Sequence, residues 1–235
     1  MNRRDVDRTL PWMGAGTEYL LQTVHSLPDD ALAAPSALPG WTRAHVVGHL
    51  SRNAEALTRL ATWARTGVET PMYADAEQRA KDIESSAHGS VETLRAELGT
   101  TAADLDSAFA ALDADGWRAE VRSALGRTIP ATEVPWMRVR EVWLHAVDLD
   151  AGATVADFPE GVVDTLLDDV TVALSGKDGC PAAFLAPTDR EQTWTLGVGG
   201  GPEIRGAAAD VVAWLTGRSD GAGLAGDLPT PPRWI

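Results

Sequence analysis

Apolar side chains recur at helical spacing along most of the first 150 residues, and beyond residue 151 that rhythm stops. A first amphipathic segment over 9–27 sets Leu20, Leu21, Val24 and Leu27 on one face, with Pro11 expected in its first turn. The Pro-rich stretch 27–40 reads as a connection that closes on Gly40. A long helix then opens on Thr42 as N-cap and carries Val46, Val47, Leu50, Leu57, Leu60 and Trp63 as its stripe. Gly67 ends it. Further helices are expected over 74–86, over 91–112 behind a Ser90 cap, and over 132–150 with Pro135 in the opening turn. Long helices joined in series predict an up-and-down four-helix bundle.

After 151 the segments shorten. A helix over 160–174 is followed by strand-type runs at 182–185, 193–196 and 203–205, then a helix over 207–216. The loop GVGGGP (197–202) lacks the Lys-Ser/Thr of a phosphate-cradling loop and is expected to be a hairpin turn. The fold class is therefore α plus α/β. A helical bundle over 1–152 precedes a small α/β domain over 153–235, and the Pro-rich tail has no regular structure.

Charge narrows the partners. Twenty Lys and Arg stand against 34 Asp and Glu, a net charge of −14. Such a field repels phosphate backbones and anionic lipid, so neither nucleic acid nor a membrane surface is expected as a partner. A small anion needs locally placed positive charge. Cys180 is the single cysteine, which excludes a disulfide framework or a thiolate metal cluster within the chain. The first residues, MNRRDVDRTLPWM, lack an apolar signal core, and no run nears the ~20 apolar residues of a membrane span. A cytoplasmic location is expected.

Glu141 and His145 lie four apart on the last bundle helix and share a face, with Asp148 next along it. His45 and His49 have the same relation on the second long helix. If these faces converge, two nitrogens and a carboxylate oxygen can hold a divalent metal and leave positions open, the composition of a catalytic zinc site. The spacing alone leaves His45 and His49 as alternatives. It also leaves a surface ion pair open, or a pairing of Glu141 with Arg138 one turn away.

Several segments carry a resemblance. GWTRAHVVGHL (40–50), TGVETPMY (66–73), GRTIPATEVPWMRVREVWLHAVDL (126–149), TGRSDG (216–221) and the terminal PPRWI resemble the mycothiol-dependent maleylpyruvate isomerase family, within the DinB-like group of thiol-dependent metalloenzymes. The matches span nearly the whole chain. The resemblance implies a DinB-like bundle and a sterol-carrier-like second domain. It implies zinc or another divalent metal on His49, Glu141 and His145, with His45 outside the ligand set and Asp148 behind it. Mycothiol is the implied thiol cofactor, and maleylpyruvate, a small dianion, the implied substrate. Arg218 in the GRSDG segment is the implied catalytic cation. The implied reaction is isomerisation to fumarylpyruvate in gentisate breakdown, with a thiolate adding to the alkene so that its C–C bond can turn. Two other classes are kept beside it, a mycothiol S-transferase acting on another electrophile and a non-catalytic zinc or small-molecule binding module.

Overall fold

Half of the α-helices among the described residues begin at a short polar side chain that takes up an otherwise unpaired backbone N–H. The computed structural model describes residues 3–234, so Ile235, the last residue of the PPRWI segment, and the first two residues of the N-terminus lie outside it. The chain divides into two compact units, Arg3–Gly152 and a second that begins at Ala153.

The first unit holds α1 (Val6–Ser26), α2 (Arg43–Thr66), α3 (Ala76–Ala87), α4 (Val91–Ala110), the short α5 (Ala114–Arg118) and α6 (Val134–Asp148). Thr42 caps α2 through the His45 N–H, Asp75 caps α3, and Ser90 caps α4. Gly67 closes α2 at φ 72°, a left-handed conformation that costs glycine nothing. Helix α1 starts earlier than its periodicity predicts, so Pro11 falls in the second turn, inside the helix, and removes one ladder hydrogen bond. The connection 27–40 contains a 3-10 turn, Asp29–Ala33, and Pro35 bridges to Thr42 at its end.

Helix α1 packs on α4 and α6, and α2 packs on those same two helices as well as on α3 and α5. That position makes α2 buried nearly all round. Val46, Val47, Leu50, Leu57 and Leu60 have no exposed surface, and small residues such as Ala54, Ala56 and Ala61 let neighbours close in. Each such Leu contributes about 1.5–3 kcal/mol by burial. Between α5 and α6 lies a two-stranded hairpin that the periodicity does not predict. Its strands β1 (Glu120–Arg122) and β2 (Thr128–Pro130) bury only Val121 and Ile129 as their central residues.

The second unit contains α7 (Glu160–Ser175), β3 (Ala183–Pro187), β4 (Trp194–Leu196), β5 (Glu203–Gly206) and α8 (Ala208–Leu215). Its sheet runs β4-β3-β5, with β3 antiparallel to β4 and parallel to β5. The GVGGGP loop is therefore not a hairpin turn, because the strands it joins are not neighbours. It crosses the start of β3 so closely that a Cβ on Gly197 would lie 2.5 Å from the Pro181 carbonyl oxygen, and one on Gly201 2.0 Å from that of Ala182. Its glycines serve close backbone approach. Helix α7 packs on β4, where Trp194 Nε1 donates to Asp168 at 2.7 Å. Among the described residues no helix is long and apolar enough to cross a membrane.

Candidate metal centre

Arg43, the first residue of α2, sets the register between the two helices that form the site. Its guanidinium donates to the carbonyls of Leu149 (2.6 Å) and Asp150 (2.5 Å), which lie just past the end of α6. The helices run antiparallel from that clamp, and His49 comes to face Glu141 and His145. Glu141 Oε2 accepts from His49 Nε2 at 2.8 Å and from His145 Nε2 at 3.2 Å. The imidazole rings meet edge to face, 4.8 Å apart. One donor atom from each residue lies within 4.8 Å of the others. Side-chain exposure rises from 6% at His49 through 14% at His145 to 25% at Glu141, so the cluster opens to solvent on the Glu141 side.

His145 is held from behind. Its Nδ1 donates to Asp148 Oδ2 at 2.8 Å, and Asp148 is buried. Burial alone would lower the His145 pKa, but hydrogen bonds to Asp148 and Glu141 outweigh it and raise it to about 9. Burial would raise the Glu141 carboxyl, but the hydrogen bonds from His145 and His49 hold it well below the ordinary carboxylate range. For His49 burial prevails, and its pKa is lowered.

Arg138 does not pair with Glu141. It is buried one turn along α6 and donates through Nη1 to the Leu50 carbonyl (2.8 Å) and Asn53 Oδ1 (2.9 Å) on α2. Burial lowers its pKa to about 10. Glu141 is thus left with two imidazoles that each bring a proton to it on the ring nitrogen a metal would take. Two nitrogens and one carboxylate, on the open side of a helical bundle and with one imidazole oriented by a carboxylate, fit a divalent ion such as zinc.

His45 lies outside this cluster. Its Nδ1 accepts from the Thr42 N–H at 3.2 Å and completes a capping box, while Nε2 faces Glu84 at 3.2 Å. Trp41 packs on both histidines, edge-on to His49 at 5.7 Å. Arg218 stands in the second unit just after α8, half-buried, and its Nη1 donates to the Thr216 carbonyl at 2.9 Å. The structure thus brings together His49, Glu141 and His145, and gives Arg218 its surroundings at a helix end. Arg79, which stands beside His49, carries no sequence signal of its own. Arg79 Nη2 lies 3.3 Å from His49 Nδ1, and its guanidinium carbon is 5.5 Å from the centre of the Tyr73 ring. Helical spacing places Arg79 one turn into α3 but says nothing of which helix α3 meets.

The family model described as mycothiol maleylpyruvate isomerase N-terminal domain matches residues 13–150. The corresponding C-terminal domain model matches residues 157–233. No curated protein sequence matches the chain. Two crystal structures, of a mycothiol-dependent maleylpyruvate isomerase and of a histidine-to-alanine mutant of it, superpose with a TM-score of 0.94 at 33% identity, over 100% of both chains. The chain belongs to the mycothiol-dependent maleylpyruvate isomerase family.

Proposed function

We propose that this protein is a zinc-dependent isomerase that uses mycothiol to convert maleylpyruvate to fumarylpyruvate, a step in gentisate breakdown. The observation that carries the reading is the convergence of His49, Glu141 and His145 on one point in a chain of this family. These three side chains would hold the metal. Metal and thiol together supply a thiolate, whose reversible addition to an alkene carbon lifts the double-bond character that blocks rotation.

The chain's own residues prepare the site for this. Asp148 fixes the His145 ring and its tautomer, so that Nε2 points at the cluster. Trp41 packs against the His49 ring and limits its rotation. Glu141 brings one negative charge toward a dication, and its two imidazole partners keep it ionised. On this reading mycothiol and not Cys180 supplies the sulfur, and burial pushes the Cys180 thiol up, away from the thiolate form. For Arg218 we propose a grip on the negative charge of the substrate, which an acidic protein does not otherwise provide.

Turnover of maleylpyruvate by the purified, zinc-loaded protein, with and without mycothiol, tests the reading. Turnover without thiol consumption is expected. Stoichiometric loss of thiol would instead identify a mycothiol S-transferase, and no thiol-dependent reaction at all would leave a binding module. His49→Ala should abolish stoichiometric zinc. Arg218→Ala should keep zinc and fold and lower turnover by about 10²-fold.

A further inference from the structure

Arg79 is held in an unusual way for a chain with 34 acidic residues. Among the described residues no carboxylate forms an ion pair with it; it meets the His49 ring and Tyr73, both at the ring and through a hydrogen bond to the phenol oxygen. Three arginines on α2 and α6 are engaged otherwise. Arg52 pairs with Glu55 and Glu97, Arg59 donates to the Met72 carbonyl, and Arg138 is bound to Leu50 and Asn53.

The contact with His49 cannot coexist with a metal. A guanidinium only donates, so His49 Nδ1 must accept from Arg79, and the ring proton sits on Nε2, where it reaches Glu141. A metal on Nε2 moves that proton to Nδ1, and two donors then face each other at 3.3 Å. A metal on Nδ1 takes the lone pair that Arg79 uses. Either way the guanidinium is released. His145 shows the contrast, since its Nδ1 faces an acceptor, Asp148, which suits a metal-bound imidazole.

We propose that Arg79, released from His49 when the metal is held, is the seat for a carboxylate of the substrate beside the metal. The planar fork matches a carboxylate bidentately, and the Tyr73 ring lies within cation–π range of the guanidinium carbon, at 5.5 Å. The inference rests on the dianionic substrate proposed above. It adds that one charge of that dianion is received by α3.

The test uses full-length protein, Arg79→Ala and Arg79→Lys, with circular dichroism as the check on folding. Zinc affinity is measured by competition with a chromophoric chelator, and malonate serves as a carboxylate probe in calorimetry on the zinc-loaded forms. Arg79→Ala should bind zinc at least as tightly as wild type, because a competing cation has been removed. Its malonate affinity should fall about tenfold or more, as expected for lost charge-assisted hydrogen bonds, and Lys should restore part of it. Unchanged malonate binding in Arg79→Ala, or none to the wild type, would overturn the proposal. So would a loss of zinc affinity in Arg79→Ala, which would make Arg79 a support for His49. If wild type fails to isomerise maleylpyruvate yet malonate binding depends on Arg79, the proposed reaction is wrong and the carboxylate seat stands.

Discussion

Replacing Gly16 with Ala should destabilise the first unit by about 3 kcal/mol, whereas the same change at Gly48 should be nearly neutral. At both glycines a Cβ would collide with a neighbouring helix, at 2.6 Å for Gly16 and 2.7 Å for Gly48. Carbon atoms pack best at about 3.5–4.0 Å, so something must move by about 1 Å in each case. What must move differs. Gly16 faces Val142 and the indole of Trp143 on α6. Val142 is fully buried, and Trp143 Nε1 is tied to the Trp12 carbonyl at 3.0 Å while its ring stacks on Tyr19. Overpacking there costs about 1–3 kcal/mol. A disrupted indole hydrogen bond adds about 1–3 kcal/mol, and the better helix propensity of Ala returns about 1 kcal/mol. Gly48 faces Ser86 Cβ on α3, with the Ala87 nitrogen and the Ile83 carbonyl oxygen in ordinary contact at 3.5 Å, and the one buried side chain of that helix is Ile83. That helix can retreat, so the net change stays within about 1 kcal/mol. Urea unfolding followed by helical ellipticity measures both. Wild-type stability in Gly16→Ala, or an equal loss in the two variants, would refute the reasoning.

Three further outcomes are expected. Asp148→Asn should weaken zinc binding about tenfold in a chelator competition, because Asn can still accept from His145 but no longer carries the charge that strengthens it. His45→Ala should keep stoichiometric zinc by metal analysis and lose about 1 kcal/mol in urea unfolding, since His45 completes the capping box of α2. Cys180→Ser should retain turnover with saturating mycothiol, and an inactive but folded variant would move the reacting sulfur to the protein.

Signals that act within a few residues are readable in this sequence. Thr42, Ser90 and Gly67 end or begin helices through contacts with their own neighbours, so no knowledge of the fold is required to find them. The β1–β2 hairpin escapes because three-residue strands with one buried side chain each give no period to detect. The glycine-rich loop shows its turn chemistry, but whether it joins adjacent strands depends on a third strand placed between them. At the site, spacing puts Glu141 with His145 and His45 with His49, and it cannot say which histidine turns inward. The deciding contact is local after all: Thr42 and His45 stand three apart, the spacing of a capping box, with His where Glu is usual. Arg138 defeats sequence reasoning for the opposite reason. Its partners, Leu50 and Asn53, lie on another helix.

The clamp made by Arg43 has a bearing on how such a site tolerates insertion and deletion. Arg43 holds Leu149 and Asp150; His49 follows it by six positions, and His145 precedes Leu149 by four. At 1.5 Å per residue, both histidines lie within about 9 Å of the clamp along their helices. One residue added inside either interval would swing a side chain by about 100° around its helix axis and scatter the donor set. A residue added to the Gly-rich crossing over β3, or to the tip of the hairpin, changes neither interval. Lineages that lengthen or trim those outer segments can keep the three donors in place, provided that two short stretches of chain keep their count.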